Sequence, residues 1–138
     1  MFLLECVILA NMSEFFVIAS TTKNQPSGPY LEIKTAILGK AYQLQLNFVG
    51  TKRAQTLNQT YRQKSYIPNI LSFPLDESTG EIYLCPVIAK REAKRFDLSY
   101  ASYVTFLFIH GCLHLKGYDH GATMERLEQH YKRKFKVA

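Results

Sequence analysis

The sequence is poor in cysteine, and this limits both its fold class and its surroundings. It has three cysteines, an odd number, at Cys6, Cys85 and Cys112, and no two of them form a C-x-x-C pair. Small secreted domains held together by disulfides usually carry an even set of cysteines instead. We therefore expect free thiols with no disulfide partner, in the reducing environment of the cytoplasm.

Long uninterrupted apolar runs are also missing. The N-terminal segment MFLLECVILANMSEFFVIAS is strongly apolar, but Glu5 and Glu14 interrupt it. No basic segment precedes it, as one does in a signal peptide, and the runs between the two acids are too short to span a bilayer. We expect no membrane segment here. We expect a strand at Phe2–Ala10 and either a strand or the start of a helix at Phe15–Ala19.

No internal repeat, low-complexity tract or linker divides the sequence. A chain of 138 residues, 47% of them hydrophobic, suffices for one core, so we expect a single domain over residues 1–138. The formal net charge is +6, from 17 basic and 11 acidic residues. A basic chain fits a polyanionic partner such as nucleic acid, although many basic proteins bind none.

Three further segments have strand patterns. Apolar and polar residues alternate along Tyr42–Val49, which is typical of a half-buried strand. Two prolines in the segment IPNILSFPL restrict the next strand, Asn69–Phe73, to a sheet edge. A polar turn, Asp76–Gly80, separates it from a short strand at Glu81–Leu84. An edge strand beside a cleft is a place where an extended ligand can bind.

Five segments have helical patterns. They are Leu31–Leu38, Lys52–Tyr61, Pro86–Arg95, Tyr100–Lys116 and Thr123–Lys134. We expect Thr51 to cap the second helix, with Tyr61 in its apolar stripe, and Asp97 or Ser99 to cap the fourth. Residues 101–109 of the fourth helix, ASYVTFLFI, are nearly all apolar. Such a helix is central and buried.

The end of that fourth helix carries three of the chain's four histidines, in HGCLHLKGYDH. His110 and His114 are four residues apart and therefore lie on one helix face. Gly117 can end the helix in the left-handed conformation, and the turn can bring His120 back toward the other two. Three histidines with no fourth ligand in the motif are typical of a catalytic zinc site, whose open position is left for water.

The same spacing, His-x3-His-x2-Gly-x2-His, is also that of the metzincin proteases. Those proteases carry a glutamate directly after the first histidine as the general base, but Gly111 stands in that place here. The site therefore suggests zinc-dependent hydrolysis, with peptide bonds disfavoured as the substrate. Cys112 is rotated away from His110 on the helix, and we expect it to be a small core residue rather than a ligand.

The histidine motif resembles that of a known family. HGCLHLKGYDH is similar to the H-G-x-L-H-L-x-G-Y-D-H signature of the YbeY family, metal-dependent endoribonucleases that act on single strands in bacterial ribosomal RNA maturation. Three more segments resemble blocks of that family in the same order: LNQTYRQK (Leu57–Lys64), LSFP (Leu71–Pro74) and GEI (Gly80–Ile82). Ser65 and Glu81 stand where the family usually has aspartate.

The resemblance implies an α+β fold with the zinc site in a cleft at the C-terminal end of the central buried helix. Together with the patterns above, it leads us to expect a small mixed β-sheet of about four strands packed with about five helices. It further implies one Zn²⁺ ion held by His110, His114 and His120 plus water. The implied partners are single-stranded RNA, ribosomal RNA precursors and the small ribosomal subunit.

The resemblance also implies that Arg62 takes part in catalysis or RNA binding. A guanidinium group binds phosphate through two parallel hydrogen bonds and can stabilise charge that develops on a phosphodiester. The alternative is that Arg62 is only a cation at a helix C-terminus, where it interacts favourably with the helix dipole.

Four other residues are weaker candidates for the site. Asp119 could orient a ligand imidazole from behind, or it could form an Asx-turn that shapes the loop. Ser72 and Phe73 could line the cleft, where Phe73 would either stack on a base or pack in the core. Lys64, in the same block as Arg62, is a candidate substrate-binding residue.

Three functions therefore remain for the chain. The leading hypothesis is a cytoplasmic zinc-dependent endoribonuclease that acts on single-stranded RNA in ribosomal RNA processing. The alternatives are a zinc peptidase or amidase and a ribosome-associated binding module whose zinc is structural.

Overall fold

Five strands and five helices make up the part of the chain that the computed structural model describes, residues 7–13, 15–22 and 25–137. The strands are β1 (Val7–Ser13), β2 (Phe16–Ser20), β3 (Gln43–Phe48), β4 (Ile70–Asp76) and β5 (Thr79–Leu84). The helices are α1 (Tyr30–Leu38), α2 (Thr51–Arg62), α3 (Pro86–Arg95), α4 (Tyr100–Lys116) and α5 (Ala122–Lys134).

The strands form one mixed sheet in the order β1-β2-β3-β5-β4. The central pairs β2/β3 and β3/β5 are parallel, and the outer pairs β1/β2 and β4/β5 are antiparallel. The predicted α+β class, with a mixed sheet and five helices, is confirmed. The sheet has five strands rather than about four because residues 16–20, which also allowed a helix, pair with β3. The predicted strand Phe2–Ala10 falls partly on residues 1–6, which lie outside the described ranges.

Strand β4 lies at one edge of the sheet, as its prolines predicted. It is longer than expected, because the strand continues through Pro74 to Asp76. An edge strand tolerates Pro74, since its missing N–H removes only a bond that a central strand would need. The turn into β5 is correspondingly tight: Asp76 pairs with Thr79, and its carboxylate accepts a hydrogen bond from the Ser78 N–H (2.8 Å).

Helix α4 is the buried helix around which the other elements pack. Ser99 caps it, with its Oγ accepting a hydrogen bond from the Ser102 N–H (3.1 Å), so of the two predicted caps the structure selects Ser99. The helix contacts α1, α3, α5 and β4. Phe108 and Cys112 are fully buried, which confirms that Cys112 is a core residue. Among the described residues, no single helix is long and apolar enough to cross a membrane, although α3 and α4 together pass that test as a pair bent by 110°.

Two expectations about α2 were wrong. Gly50 is the N-cap, in extended conformation and without a side-chain cap, and Thr51 is already the first helical residue. Tyr61 is 64% exposed. The buried residues of this helix are Ala54 and Asn58. The polar Asn58 can be buried because its amide is hydrogen-bonded to Arg62 and to the Tyr66 carbonyl oxygen, contacts that the apolar pattern does not reveal.

Candidate metal centre

Three histidines converge at the C-terminal end of α4. His110 and His114 lie on one face of the helix, and their Nε2 atoms are 3.1 Å apart. Gly117 then ends the helix with a φ of 111°, a left-handed conformation that glycine adopts without strain. The turn that follows places the ring of His120 5.2 Å from that of His110 and 4.9 Å from that of His114, between centroids. One ligand nitrogen from each ring lies within 4.8 Å of the others, which confirms the predicted convergence.

The hydrogen bonds behind two of the rings determine which nitrogen faces the centre. Nδ1 of His114 donates to the carbonyl oxygen of Tyr118 (3.0 Å). Nδ1 of His110 is hydrogen-bonded to the carboxylate of Glu128. A neutral imidazole that donates from Nδ1 has an unprotonated Nε2, so two lone pairs point at one another across 3.1 Å. A cation between them removes this repulsion, and the donor set therefore fits a metal ion.

The environment of His114 also favours its neutral, metal-binding form. Burial lowers the pKa of His114, and the nearby His110 and His120 rings lower that pKa further. The hydrogen bond that His114 donates to the Tyr118 carbonyl oxygen and the charge of Asp119 raise the pKa, but by less. Because a metal competes with a proton for the imidazole nitrogen, a lowered pKa keeps the ligand available at lower pH.

The partner of His110 is a residue that the sequence did not reveal. Glu128 lies on α5 and is only 9% exposed. Asp119, for which orienting a ligand ring was one of two alternatives, is exposed, and in the described part of the chain its carboxylate makes no hydrogen bond to a ligand ring. One signal was available: Glu128 follows the buried Met124 by four residues, so it lies on the buried face of α5, where an unpaired carboxylate is costly.

The three histidines line a cleft of about 450 Å³ that lies between α4, α2 and β4. Its lining residues are Arg62, Tyr66, Ile70, Leu71, Ser72, Pro74, His110, His114 and His120. The structure thus brings Arg62 into the same cleft as the histidines, although nearly fifty residues separate them in sequence. Nη1 of Arg62 donates to Asn58 Oδ1 (3.2 Å) and to the Tyr66 hydroxyl (3.3 Å), which orient the guanidinium.

Of the weaker candidates for the site, Ser72 lies in the cleft, whereas Phe73 and Lys64 lie outside it. Ser72 lines the cleft, but its hydroxyl donates to the Gly111 carbonyl oxygen (3.1 Å). Phe73 alternates to the other face of β4 and packs between Tyr61 and Tyr83, with ring centroids 5.5 and 5.8 Å away. Lys64 is exposed and is not among the cleft-lining residues. Of these candidates only Ser72 therefore borders the site.

Gly111 is buried where α4 crosses the sheet. A Cβ atom at this position would lie 2.9 Å from Ile70 Cδ1 and 3.0 Å from Ser72 Oγ. The position therefore faces the side chains of Ile70 and Ser72 on β4, and a glutamate there has no room unless these side chains move. The missing protease base is thus a consequence of how closely the helix packs on β4.

Comparison with known proteins places this geometry in a family. The family model described as "Endoribonuclease YbeY" matches residues 27–136. The YbeY endoribonuclease of Mesoplasma florum is 38% identical over 111 residues, which cover 72% of this chain and 62% of that protein. The one from Bdellovibrio bacteriovorus is 41% identical over 80 residues, 56% of this chain and 53% of that protein. The matches thus span less than two thirds of the length of these relatives.

A solved structure agrees with the sequence matches. The solution structure of a Thermotoga maritima protein superposes with a TM-score of 0.55 at 27% sequence identity, covering 80% of this chain and 85% of that one. The family model alone extends from the loop before α1 to the end of α5 and includes all three histidines and Arg62. The chain therefore belongs to the endoribonuclease YbeY family.

Proposed function

We propose that this protein is a zinc-dependent endoribonuclease that cleaves single-stranded RNA during ribosomal RNA maturation. The observation that carries the proposal is the shared cleft: three histidine nitrogens and the Arg62 guanidinium line the same cleft. None of its described lining residues is a carboxylate. A cleft with this composition, once it holds a metal ion, is strongly electropositive and suits a phosphodiester.

His110, His114 and His120 would hold the ion through their inward nitrogens. Three imidazoles with one open position are the usual donor set of a catalytic zinc site, and they suit zinc better than a hard oxygen-seeking cation such as magnesium. A bound zinc ion supplies Lewis acidity at the reacting phosphate. Glu128 and the Tyr118 carbonyl keep two of the rings in the tautomer that presents Nε2 to the metal.

Arg62 binds and orients the phosphate in this proposal. Two of its contacts are to the neutral acceptors Asn58 Oδ1 and Tyr66 Oη, both through Nη1. In the described part of the chain, Arg62 makes no ion pair, so its charge is not neutralised by a neighbouring carboxylate. The guanidinium can therefore donate to two phosphate oxygens and stabilise negative charge that develops there.

The same geometry disfavours a peptidase. A metzincin-like enzyme needs a carboxylate next to the first histidine as general base, and Gly111 is packed against Ile70 and Ser72 instead. The net charge of +6 further supports a polyanionic substrate over a peptide. We propose ribosomal RNA precursors and the small ribosomal subunit as partners, and the cytoplasm as the location.

The proposal is tested with protein that is stripped of metal and then repleted with single divalent cations. Zinc-loaded protein is expected to cleave a single-stranded RNA oligonucleotide and to leave the matching duplex intact. His114→Ala should abolish cleavage, whereas His130→Ala, a change at an exposed histidine outside the site, should not. Equal cleavage by the His114→Ala preparation would trace the activity to a contaminating nuclease. Co-sedimentation with small ribosomal subunits tests the proposed partner.

A further inference from the structure

Tyr66 differs from the other exposed aromatic residues of the described chain. Single exposed aromatic side chains are common on protein surfaces and need no explanation alone. Tyr61 and Phe96 are 64% and 61% exposed, but each packs against another ring, Phe73 and Tyr103 respectively. Tyr66 is 54% exposed, and within the described residues it makes no ring–ring contact. It is also the only one of the three that lines the histidine cleft.

The position of Tyr66 is held at three points although its ring is exposed. Its carbonyl oxygen accepts a hydrogen bond from Nδ2 of the fully buried Asn58 (3.0 Å), and its hydroxyl accepts one from Arg62 (3.3 Å). The preceding residue, Ser65, is bonded through its carbonyl oxygen to Gln55 Nε2 (2.7 Å). An exposed ring that is anchored in this way loses little conformational entropy when a ligand packs on it.

The anchoring follows from the way α2 ends. Gln63 takes the left-handed conformation, with a φ of 54°, at the C-cap. The chain turns back at this residue, so that Tyr66 returns to the last turn of α2, beside Arg62. Asn58 uses both ends of its amide for this arrangement: Oδ1 accepts from Arg62 and Nδ2 donates to Tyr66. One buried side chain therefore sets the relative positions of a cation and an aromatic ring.

We infer that Tyr66 forms a stacking subsite for one unpaired nucleobase, next to the phosphate that Arg62 holds. This inference rests on the proposed ribonuclease function. Proteins that bind single strands combine a cation for the backbone with an aromatic ring for the base. A nucleotide carries both groups, so two side chains joined by a hydrogen bond can contact the same nucleotide. A base in a duplex is already stacked and paired, so the subsite also selects single strands.

The first experiment compares substitutions at Tyr66 and Tyr61. The substrate is a single-stranded RNA oligonucleotide with one mapped cleavage position, and kcat and KM are measured with zinc-loaded protein. Tyr66→Ala should raise KM about tenfold, the loss expected for one stacked base. Tyr66→Phe keeps the ring and should retain most of the affinity. Tyr61→Ala removes a more exposed tyrosine outside the cleft and should leave KM near the wild-type value.

A second measurement separates stacking from a structural effect. The same oligonucleotide is prepared with an abasic site at each nucleotide beside the cleavage position. With wild-type protein, one abasic position should raise KM; with Tyr66→Ala, that position should have no further effect, because the base and the ring act as a pair. If Tyr66→Ala keeps the full sensitivity, or has an unchanged KM, the subsite does not exist while the ribonuclease assignment stands. If wild-type protein cleaves no RNA, both fail.

Discussion

The carboxylate of Glu128 on α5 is hydrogen-bonded to Nδ1 of His110 on α4. The two residues are 18 positions apart and meet because α5 packs against the end of α4. The carboxylate fixes the orientation of the ring and the tautomer whose Nε2 faces the metal. The hydrogen bond to His110 also explains why Glu128, which is only 9% exposed, is tolerated on the buried face of α5. A contact between two helices thus belongs to the metal centre.

Glu128→Ala should weaken metal binding by about 10- to 100-fold, the usual cost of losing such a partner. Glu128→Gln keeps an acceptor for the His110 N–H but removes the charge, so its loss should be smaller. Competition with a chromophoric chelator measures the affinity. Glu125→Gln is the matched control, because Glu125 lies exposed on the same helix. Equal affinities for Glu128→Ala and wild-type protein would show that the carboxylate does not support the ligand.

Substitutions at Gly111 should separate packing from chemistry. Gly111→Ala brings a methyl group to 2.9 Å from the tip of Ile70, but alanine gains about 1 kcal/mol in helix propensity. The two effects nearly offset each other. We therefore expect the free energy of unfolding of Gly111→Ala to lie within about 1 kcal/mol of the wild-type value. Gly111→Glu forces a carboxylate into the contact between helix and sheet and should cost more than about 3 kcal/mol.

Urea unfolding measures both changes, with Lys116→Glu as the control. That control introduces the same carboxylate at an exposed position of α4 and should cost about 1 kcal/mol or less. Gly111→Glu should also gain no casein cleavage. A stable Gly111→Glu protein with peptidase activity would contradict both the packing argument and the exclusion of a peptidase.

The histidine centre was predictable because its determinants are local. His110, Gly117 and His120 lie within one helix end and one turn, so sequence spacing alone determines that the rings converge. The edge position of β4 was predictable for a similar reason, since Pro74 acts through its own backbone. The alternatives at Phe15–Ala19 could not be decided from the sequence, because a short apolar run fits a strand or a helix until its neighbour β3 is known.

The residues that the sequence missed all depend on contacts between elements. Glu128 reaches His110 only because α5 packs on α4, and Asn58 holds Tyr66 only because the chain reverses at Gln63. Tyr61 was expected in the apolar stripe of α2 and is exposed, since the adjacent buried position belongs to Asn58. Helical periodicity identifies a face of a helix, but it does not show which polar residue will find a partner there.

Arg62 should affect catalysis without affecting the metal. Arg62→Ala should lower kcat/KM for single-stranded RNA about 100-fold or more, the scale of removing one donor to developing charge. Arg62→Lys should recover only part of this loss, because an ammonium group cannot form the two parallel bonds of a guanidinium. Zinc content should be unchanged in both. Lys64→Ala, at an exposed position outside the cleft, should change kcat/KM only a few-fold, through weaker electrostatic attraction of RNA.

The last prediction concerns the pH dependence of stability in metal-free protein. Burial, followed by the nearby His110 and His120, lowers the pKa of His114 in the folded state below its ordinary value of 6.5. As the pH falls through 6.5, the unfolded chain therefore binds a proton that the folded chain resists, and stability decreases until the pH reaches the lowered pKa. Urea unfolding at pH 7.5 and at pH values below 6.5 should show this loss. His114→Gln should reduce the slope of the unfolding free energy against pH, whereas His130→Gln, at an exposed site, should preserve that slope. Equal slopes for wild-type protein and His114→Gln would mean that His114 does not resist protonation in the fold.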